Sequence, residues 1–260
     1  MNRLILGVTL AAFGLCFLPV SGLALAAIEQ LDGASAGAGV FVPGVSAADS
    51  DITLTPVPFE ELSQAAKARL LEDKQPKTVS GVIGIIGTLV SIGSAIINVV
   101  RGGEIVYSNG YGAVYPKDAD WRYFTWKKQS IYTFRYKQTM AGISVVDCVI
   151  AVSFKYDGQY NGSGRYIGNI QVVGDKCTTL MSNTLNVTAE LPQSSVENLT
   201  PATPLDPLAA IALNLTYANT SLTGSGSRRE AYQIRGDGTL IDLATGAEPK
   251  YAAVRRVDLN

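Results

Sequence analysis

Few residues of this chain could carry out covalent or metal chemistry. Histidine is absent, which removes Ser-His-Asp and Cys-His catalysis and imidazole metal ligation. Asp118 and Asp120 in PKDAD and Asp237 in RGDG lack the acidic density of a calcium loop, so we interpret them as turn residues. The sequence predicts no catalytic residue, no metal and no cofactor. A carbohydrate-active enzyme stays open, because paired carboxylates are recognised by their separation in space.

The first 26 residues have the pattern of a cleaved export signal. Arg3 supplies the basic start, Leu4 to Val20 the apolar core, and Ala24-Leu25-Ala26 an A-x-A cleavage site. We therefore expect residues 1–26 to be removed and the protein to be secreted or periplasmic. Cys16 could be lipidated only in a lipoprotein, for which Leu15 is a poor preceding residue.

Two cysteines, Cys148 and Cys177, follow the signal. An exported chain with two cysteines most often forms one disulfide. A hairpin turn near 162–163 places them almost opposite each other, but the register that aligns the apolar residues leaves Cys177 one position off. A bulge at Gly174-Asp175 would restore the pairing. The sequence predicts a Cys148–Cys177 disulfide, with two separate buried thiols as the alternative.

The charge balance restricts the class of partner. Removing Arg3 from the 21 basic residues leaves 20 against 22 acidic ones. This balance argues against nucleic acid as a partner and against electrostatic docking on anionic lipid. A partner would be a membrane surface, another protein or a glycan, contacted through apolar or aromatic groups, and oligomerisation is left open.

Aromatic residues are concentrated in one part of the chain. Nine of the twelve tyrosines lie between Tyr107 and Tyr166, together with Trp121 and Trp126. Tyrosine and tryptophan suit a boundary that is apolar on one side and wet on the other, so both tryptophans are candidate ligand contacts. The alternative is that strand alternation places one set of these aromatics in the core.

The N-terminal half is predicted to contain a low-complexity segment and two helices. Residues 27–57 are rich in Ala, Gly, Ser and Pro and predict a poorly ordered segment. The region 58–103 is predicted to hold two helices packed on a sheet. The first has an apolar stripe formed by Phe59, Leu62, Ala66 and Leu70. The second would cover the uncharged stretch 80–100.

The stretch 80–100 is long enough for a helix that crosses a bilayer, which needs about 20 residues. We expect it to pack on the sheet, with its small residues close to another backbone. Two alternatives stay open, a permanent membrane span and a helix that inserts into lipid. The membrane-facing residues of an inserting helix would be Gly84, Ile85, Leu89, Ile92 and Ile96.

From residue 104 onward the apolar period changes to two, which indicates strands. Tyr132, Phe134 and Tyr136 alternate with polar residues, as does the series from Val146 to Tyr156. Residues 161–164 predict a turn. In the predicted strand 209–221 the inward residues are Ile211, Leu213, Leu215 and Tyr217. We expect residues 104–260 to form an antiparallel β-sandwich and residues 58–260 to form one domain, so the fold class is mainly β with two N-terminal helices.

The order of features from about Ser80 to Val173 resembles a family of secreted proteobacterial proteins without an assigned activity. These combine a Gly-rich apolar helix with a Y-x-G-x-Y-x-G-x-G-x-Y hairpin, matched here by Tyr156, Gly158, Tyr160, Gly162, Gly164 and Tyr166. A fainter similarity is to actinoporin-type cytolysins, which place a helix ahead of a β-sandwich and hold lipid headgroups on an aromatic face. That resemblance implies headgroup contacts at Tyr156, Tyr160 and Tyr166, with 80–100 as the mobile helix.

The expected function is that of an exported, non-enzymatic binding or structural protein that contacts a membrane or another surface through its aromatic residues. The alternative is a pore-forming protein that releases the 80–100 helix into lipid. The two differ in whether that helix stays on the sheet or detaches on lipid contact.

Overall fold

The computed structural model describes residues 50–72, 89–93, 96–106, 111–117, 119–120, 123–140, 142–180, 183–201, 206–221 and 224–259. The chain divides into two compact units, 1–35 and 36–260, and every described residue belongs to the second. The predicted signal, the stretch 27–49, Trp121, Gly84 and Ile85 lie outside the described residues.

The described residues form two antiparallel sheets and one α-helix. Sheet I has the strand order β2-β5-β9-β8-β7, with β1 and β15 pairing end to end along the outer edge of β7 and with β6 pairing β8. Its strands are β1 (Ser50–Pro56), β2 (Leu89–Gly93), β5 (Gly112–Pro116), β6 (Phe124–Thr125), β7 (Lys128–Met140), β8 (Ile143–Tyr160), β9 (Ser163–Thr179) and β15 (Ala253–Asp258).

Sheet II has the order β14-β13-β12-β10-β3-β4, with β11 pairing β12. Its strands are β3 (Ile96–Arg101), β4 (Glu104–Ile105), β10 (Thr184–Glu190), β11 (Glu197–Asn198), β12 (Ala209–Ser221), β13 (Gly224–Arg235) and β14 (Leu240–Asp242). The alternating series predicted at 132–136 and 146–156 lie on β7 and β8, and the strand predicted at 209–221 corresponds to β12.

The two sheets share one hydrophobic core in a sandwich-like arrangement. Alternate residues of β7 and β8 meet alternate residues of β10, β12 and β13 in this core. The four residues predicted to point inward on β12 are all buried there, namely Ile211, Leu213, Leu215 and Tyr217. The period-2 pattern therefore predicted the interior of this part of the fold correctly.

A second apolar cluster lies on the opposite face of sheet I, beneath the helix α1 (Gln64–Leu71) and a 3-10 turn at Phe59–Glu61. The stripe predicted for the first helix packs on this face, against Ile131, Val149, Ala151 and Val173. Buried side-chain amides of sheet I cap the C-terminus of α1. Gln129 Nε2 donates to Leu70 O at 2.6 Å, and Asn169 Nδ2 donates to Glu72 O at 2.9 Å. The first predicted helix is therefore present, as a 3-10 turn followed by α1.

The second predicted helix is wrong over its described part. Residues 89–93 are strand β2 in sheet I, and residues 96–101 are strand β3 in sheet II. Leu89 and Ile92 therefore lie on an edge strand, and Ile96 is 63 % exposed on β3. The β-branched residues Val90, Ile92, Ile97, Val99 and Val100 favour strand geometry, and glycine lowers helix propensity, so the sheets outcompete the 3.6-residue pattern.

The prediction of a poorly ordered segment at 27–57 is wrong for its last residues. Residues 50–56 form β1, which pairs in register with β7 from Ser50↔Met140 to Pro56↔Phe134. Leu54 and Ile52 pack against the main core. A short strand of this kind gains its stability from β7 rather than from its own composition.

Among the described residues, no helix combines the length and apolar character that crossing a bilayer requires.

The hairpin β8–β9 carries the predicted disulfide. Cys148 and Cys177 are bonded, and the strand register shifts by one residue between Val149↔Asp175 and Asp147↔Thr178. This shift is the bulge that the sequence required, and it falls at Lys176, whose φ is 49°, rather than at Gly174-Asp175. A disulfide of this kind is typical of an oxidising, non-cytosolic compartment.

Candidate functional site

Five aromatic rings gather where β6 meets the tip of the β8–β9 hairpin. Phe124 is at their centre, because its pairing with Tyr160 extends sheet I beyond the start of β7. Its ring centroid lies 5.2 Å from Tyr160, 5.4 Å from Trp126, 5.5 Å from Tyr166 and 5.6 Å from Tyr115. These spacings are those of favourable aromatic pairs. We call Tyr115, Phe124, Trp126, Tyr160 and Tyr166 the aromatic cluster.

Glycines of the hairpin make room for these rings. A Cβ at Gly158 would lie 2.3 Å from Trp126 Cζ3, and one at Gly168 would lie 2.6 Å from Trp126 Cη2. The indole therefore lies directly over the backbone of both strands. Gly164 has φ +83°, and a Cβ there would meet the ring of Tyr166 at 2.3 Å. Ring packing on bare backbone thus accounts for Gly158 and Gly164 of the Y-x-G-x-Y-x-G-x-G-x-Y motif. Gly162 has φ +80° and nothing within 4 Å of an added Cβ, so the turn conformation accounts for it.

The rings differ in exposure. Tyr156 and Tyr166 are 6 % and 5 % exposed, so the alternative interpretation, core packing, applies to both. Trp126 and Tyr160 are half-buried and pack against the main core. Tyr156 lies apart from the cluster, where its ring fills the space beside Gly238. Of the candidate contacts among the described residues, only Trp126 and Tyr160 reach solvent appreciably.

The structure adds one aromatic residue that the sequence reasoning missed. Tyr123 immediately precedes Phe124 and is 62 % exposed. Its backbone N–H donates to Asp120 O at 3.0 Å. The position of Tyr123 among Trp121, Phe124 and Trp126 could have indicated a contact residue. Whether Tyr123 or Phe124 is exposed depends on contacts from distant strands.

Two exposed lysines lie close in the chain to the aromatic cluster, Lys117 two residues after Tyr115 and Lys127 directly after Trp126, and the cluster's own phenols are neutral. Lys117 and Lys127 are exposed on the segments that flank β6. Burial raises the pKa of Tyr115 to about 12, with the nearby Tyr111 phenol adding to the effect. Burial also raises the pKa of Tyr166, and Asp206 acts in the same direction. These phenols stay neutral at physiological pH, so the cluster offers apolar rings and uncharged hydroxyl groups.

A second group of tyrosines lies between the sheets, and of these the sequence predicted Tyr217 to point inward. Tyr136 and Tyr217 stack with centroids 4.5 Å apart. Tyr232 and Tyr251 join their hydroxyls at 2.8 Å, and Tyr251 donates to Asp242 Oδ2 at 3.4 Å. Tyr136, Tyr217 and Tyr232 are strand residues whose side chains lie in the core, and the half-buried Tyr251 packs against it.

A partly buried ion pair lies on the same face of β13 as Tyr232. Arg228 Nε donates to Glu230 Oε1 at 2.5 Å. Burial raises the pKa of Glu230, while the neighbouring Arg228 acts against that shift. Perturbed carboxyl groups occur at functional sites but also in structural ion pairs, and here the carboxylate is held by its own strand.

The RGDG motif is a turn, as the sequence predicted. Asp237 Oδ1 accepts hydrogen bonds from Thr239 N and Thr239 Oγ1 at 3.0 and 2.6 Å. A Cβ at Gly236 would lie 2.0 Å from Arg165 O, so this turn packs closely on β9. The motif has a structural role that occupies its aspartate.

A scan against protein-family models found no match, and searches of curated proteins and of solved structures found none either. The resemblances drawn from residue spacing therefore remain predictions.

Proposed function

We propose that this protein is an exported, non-enzymatic binding protein that docks on a membrane surface through Tyr123 and the solvent-facing rings of the aromatic cluster. The observation that carries this proposal is the contrast between an exposed Tyr123 and the anchored rings of Phe124 and Trp126, which follow it in the chain. Tyrosine and tryptophan favour the boundary between hydrocarbon and water, because each ring has an apolar body and a polar tip.

The anchoring of the rings supports this use. Trp126 stacks on Phe124 with an interplanar angle of 12° and lies against Gly158 and Gly168. Its orientation is therefore set before any ligand arrives. A preorganised contact surface loses little conformational entropy on binding.

The charge of the chain and of the cluster's surroundings fits apolar docking. A formal net charge of −1 provides no strong attraction to anionic lipid. Lys117 and Lys127 can extend their ammonium groups toward headgroups while Tyr123 contacts the acyl boundary. The predicted signal at 1–26 and the Cys148–Cys177 disulfide are both consistent with an exported protein.

Lytic insertion of an 80–100 helix is not part of this proposal, because residues 89–93 and 96–101 are strands in two different sheets.

The test is binding of the processed protein to neutral phosphatidylcholine vesicles, measured by co-sedimentation and by tryptophan fluorescence. Tyr123→Ala should weaken partitioning about tenfold, since burying part of an aromatic side chain contributes about 1–2 kcal/mol. The matched control is Leu243→Ala, which removes a side chain that is 49 % exposed on a turn of the other sheet.

Binding that is reduced by Tyr123→Ala but not by Leu243→Ala would support the proposal. An absence of vesicle binding would contradict it, and so would an equal loss with both variants. Release of a trapped dye by the wild-type protein would favour the lytic alternative over docking.

A further inference from the structure

The disulfide sits at an irregular position of the β8–β9 hairpin. Cys148 faces both Lys176 and Cys177, because the register changes between Val149↔Asp175 and Asp147↔Thr178. Lys176 has φ 49°, a left-handed conformation that costs a non-glycine residue about 1 kcal/mol or more. A bulge at this position therefore needs an external restraint, and the covalent bond to Cys148 supplies one.

The two residues before Cys177 hold the start of helix α1. The carboxylate of Asp175 is buried, and its Oδ2 accepts a hydrogen bond from Ser63 N at 2.9 Å. Lys176 Nζ donates to Glu61 O. Ser63 is the N-cap of α1, since its Oγ accepts from Ala66 N at 3.2 Å. The bulge and the helix N-terminus are thus joined by two polar contacts.

The apolar contacts of α1 fall on the same pair of strands. Leu62, Ala66 and Leu70 belong to a cluster with Val149 on β8 and Val173 on β9. Val149 follows Cys148 directly, and Val173 lies four residues before Cys177. A change in the strand pairing at the disulfide would therefore reach both the polar and the apolar contacts of the helix.

We propose that the Cys148–Cys177 disulfide is a redox-sensitive clamp for α1. In the oxidised protein the bond maintains the bulge that presents Asp175 and Lys176 to the helix. When the bond is reduced, β8 and β9 can leave the bulged register, and α1 with its preceding turn detaches. Release uncovers the apolar residues Ile131, Val149, Ala151 and Val173 on the outer face of sheet I.

The reductant is a dithiol, and its point of attack follows from exposure. Cys148 is fully buried, whereas Cys177 is half-buried. A thiolate of the dithiol attacks Cys177 Sγ, the S–S bond breaks, and Cys148 leaves as a thiolate that takes up a proton. The second thiol of the reductant then resolves the mixed disulfide, which releases Cys177 as a thiol and oxidises the dithiol to its own disulfide.

Trypsin digestion of the full processed chain with and without dithiothreitol tests the clamp. Cleavage after Lys67 and Arg69 reports the opening of α1, because both peptide bonds lie within the helix. Fragments are identified by mass spectrometry, and tryptophan fluorescence follows the aromatic cluster at the other end of the hairpin. We expect reduction to accelerate cleavage at these two sites by about tenfold while the fluorescence stays unchanged, as for local opening of one unit.

Two variants separate the clamp from a general loss of stability. Asp175→Ala leaves the disulfide in place but removes the acceptor for Ser63 N, so it should open α1 without reductant. Glu190→Ala is the control, since that carboxylate lies 3.6 Å from Arg229 on sheet II, and it should leave cleavage unchanged. Equal cleavage of oxidised and reduced protein would overturn the proposal, as would reduction that exposes all trypsin sites together or an Asp175→Ala protein that resists cleavage.

Discussion

At the scale of single residues, the interior tyrosines show how similar side chains contribute oppositely to stability. The Tyr232 hydroxyl is paired with that of Tyr251. The Tyr217 hydroxyl is buried and has no hydrogen-bond partner among the residues that the structure describes. Since the burial of both rings is similar, the difference in stability should come from the hydroxyl groups alone.

Tyr217→Phe should therefore stabilise the protein and Tyr232→Phe should destabilise it. Removing an unpaired buried hydroxyl relieves a desolvation cost of about 1 kcal/mol or more, whereas Tyr232→Phe loses the hydrogen bond to the Tyr251 hydroxyl. Urea denaturation at neutral pH measures both free energies of unfolding. A loss of stability in Tyr217→Phe that equals the loss in Tyr232→Phe would contradict this account.

Residue type and alternation predicted that Tyr217 points inward, and the structure confirms it. They could not predict which hydroxyl would find a partner. Tyr232 and Tyr251 meet because the turn after β14 brings Tyr251 back over β13, a contact set by the path of the loop rather than by periodicity.

At the scale of the elements, the β8–β9 hairpin depends on a ring from outside itself. Trp126 precedes β7 and lies across Gly158 on β8 and Gly168 on β9. Each glycine leaves bare backbone that the indole covers. The hairpin and the segment from β6 to β7 should therefore behave as one coupled unit.

Gly158→Ala should cost about 1–3 kcal/mol, because its Cβ would overlap Trp126 and force the indole away. The control is Gly174→Ala on β9. Its added Cβ would lie 3.3 Å from the nearest side-chain and backbone atoms, so this substitution should lower the free energy of unfolding by less. In a Trp126→Ala background the effect of Gly158→Ala should shrink, which a double-mutant cycle in thermal or urea unfolding measures. Additive losses would show that the two positions are independent.

The elements also show where local pattern fails. The stretch 80–100 satisfies a helical spacing of small and bulky residues, yet its described part supplies edge and interior strands to both sheets. A short apolar run is compatible with both the helical period of 3.6 residues and the strand period of two. Here the strand forms because β5 and β10 each have an edge with which it can pair. The same reasoning applies to β1, which lies in a segment predicted from its composition to be poorly ordered but which pairs with the edge of β7.

At the scale of the whole molecule, buried tyrosines make the fold sensitive to high pH. Burial raises the pKa of Tyr136 and of Tyr115 to about 12, and it also raises the pKa of Tyr217 and of Tyr232. A raised pKa means that the native state holds its proton more tightly than the unfolded chain does. The contribution of these protonated tyrosines to the stability of the native state is fully present below pH 10, and it is lost as the pH rises toward 12.

Alkaline titration should therefore unfold the protein cooperatively between about pH 10 and 12, with each buried tyrosine contributing about 1.4 kcal/mol of lost stability per pH unit. Far-UV circular dichroism and tyrosinate absorbance should change together. Tyr136→Phe should reduce the steepness of this loss. Ionisation of all twelve tyrosines with unchanged circular dichroism would contradict the prediction.

The sequence by itself determined the mainly β class, most strands from 128 onward, their inward-facing residues and the pairing of Cys148 with Cys177. These features follow from alternation and hairpin register, which act between residues close in the chain. Only the tertiary structure decided that 89–101 is strand, that Tyr166 is buried while Tyr123 is exposed, and that Asp175 and Lys176 hold α1. These outcomes depend on which distant backbone or ring fills a given space, and no local period of the sequence encodes that.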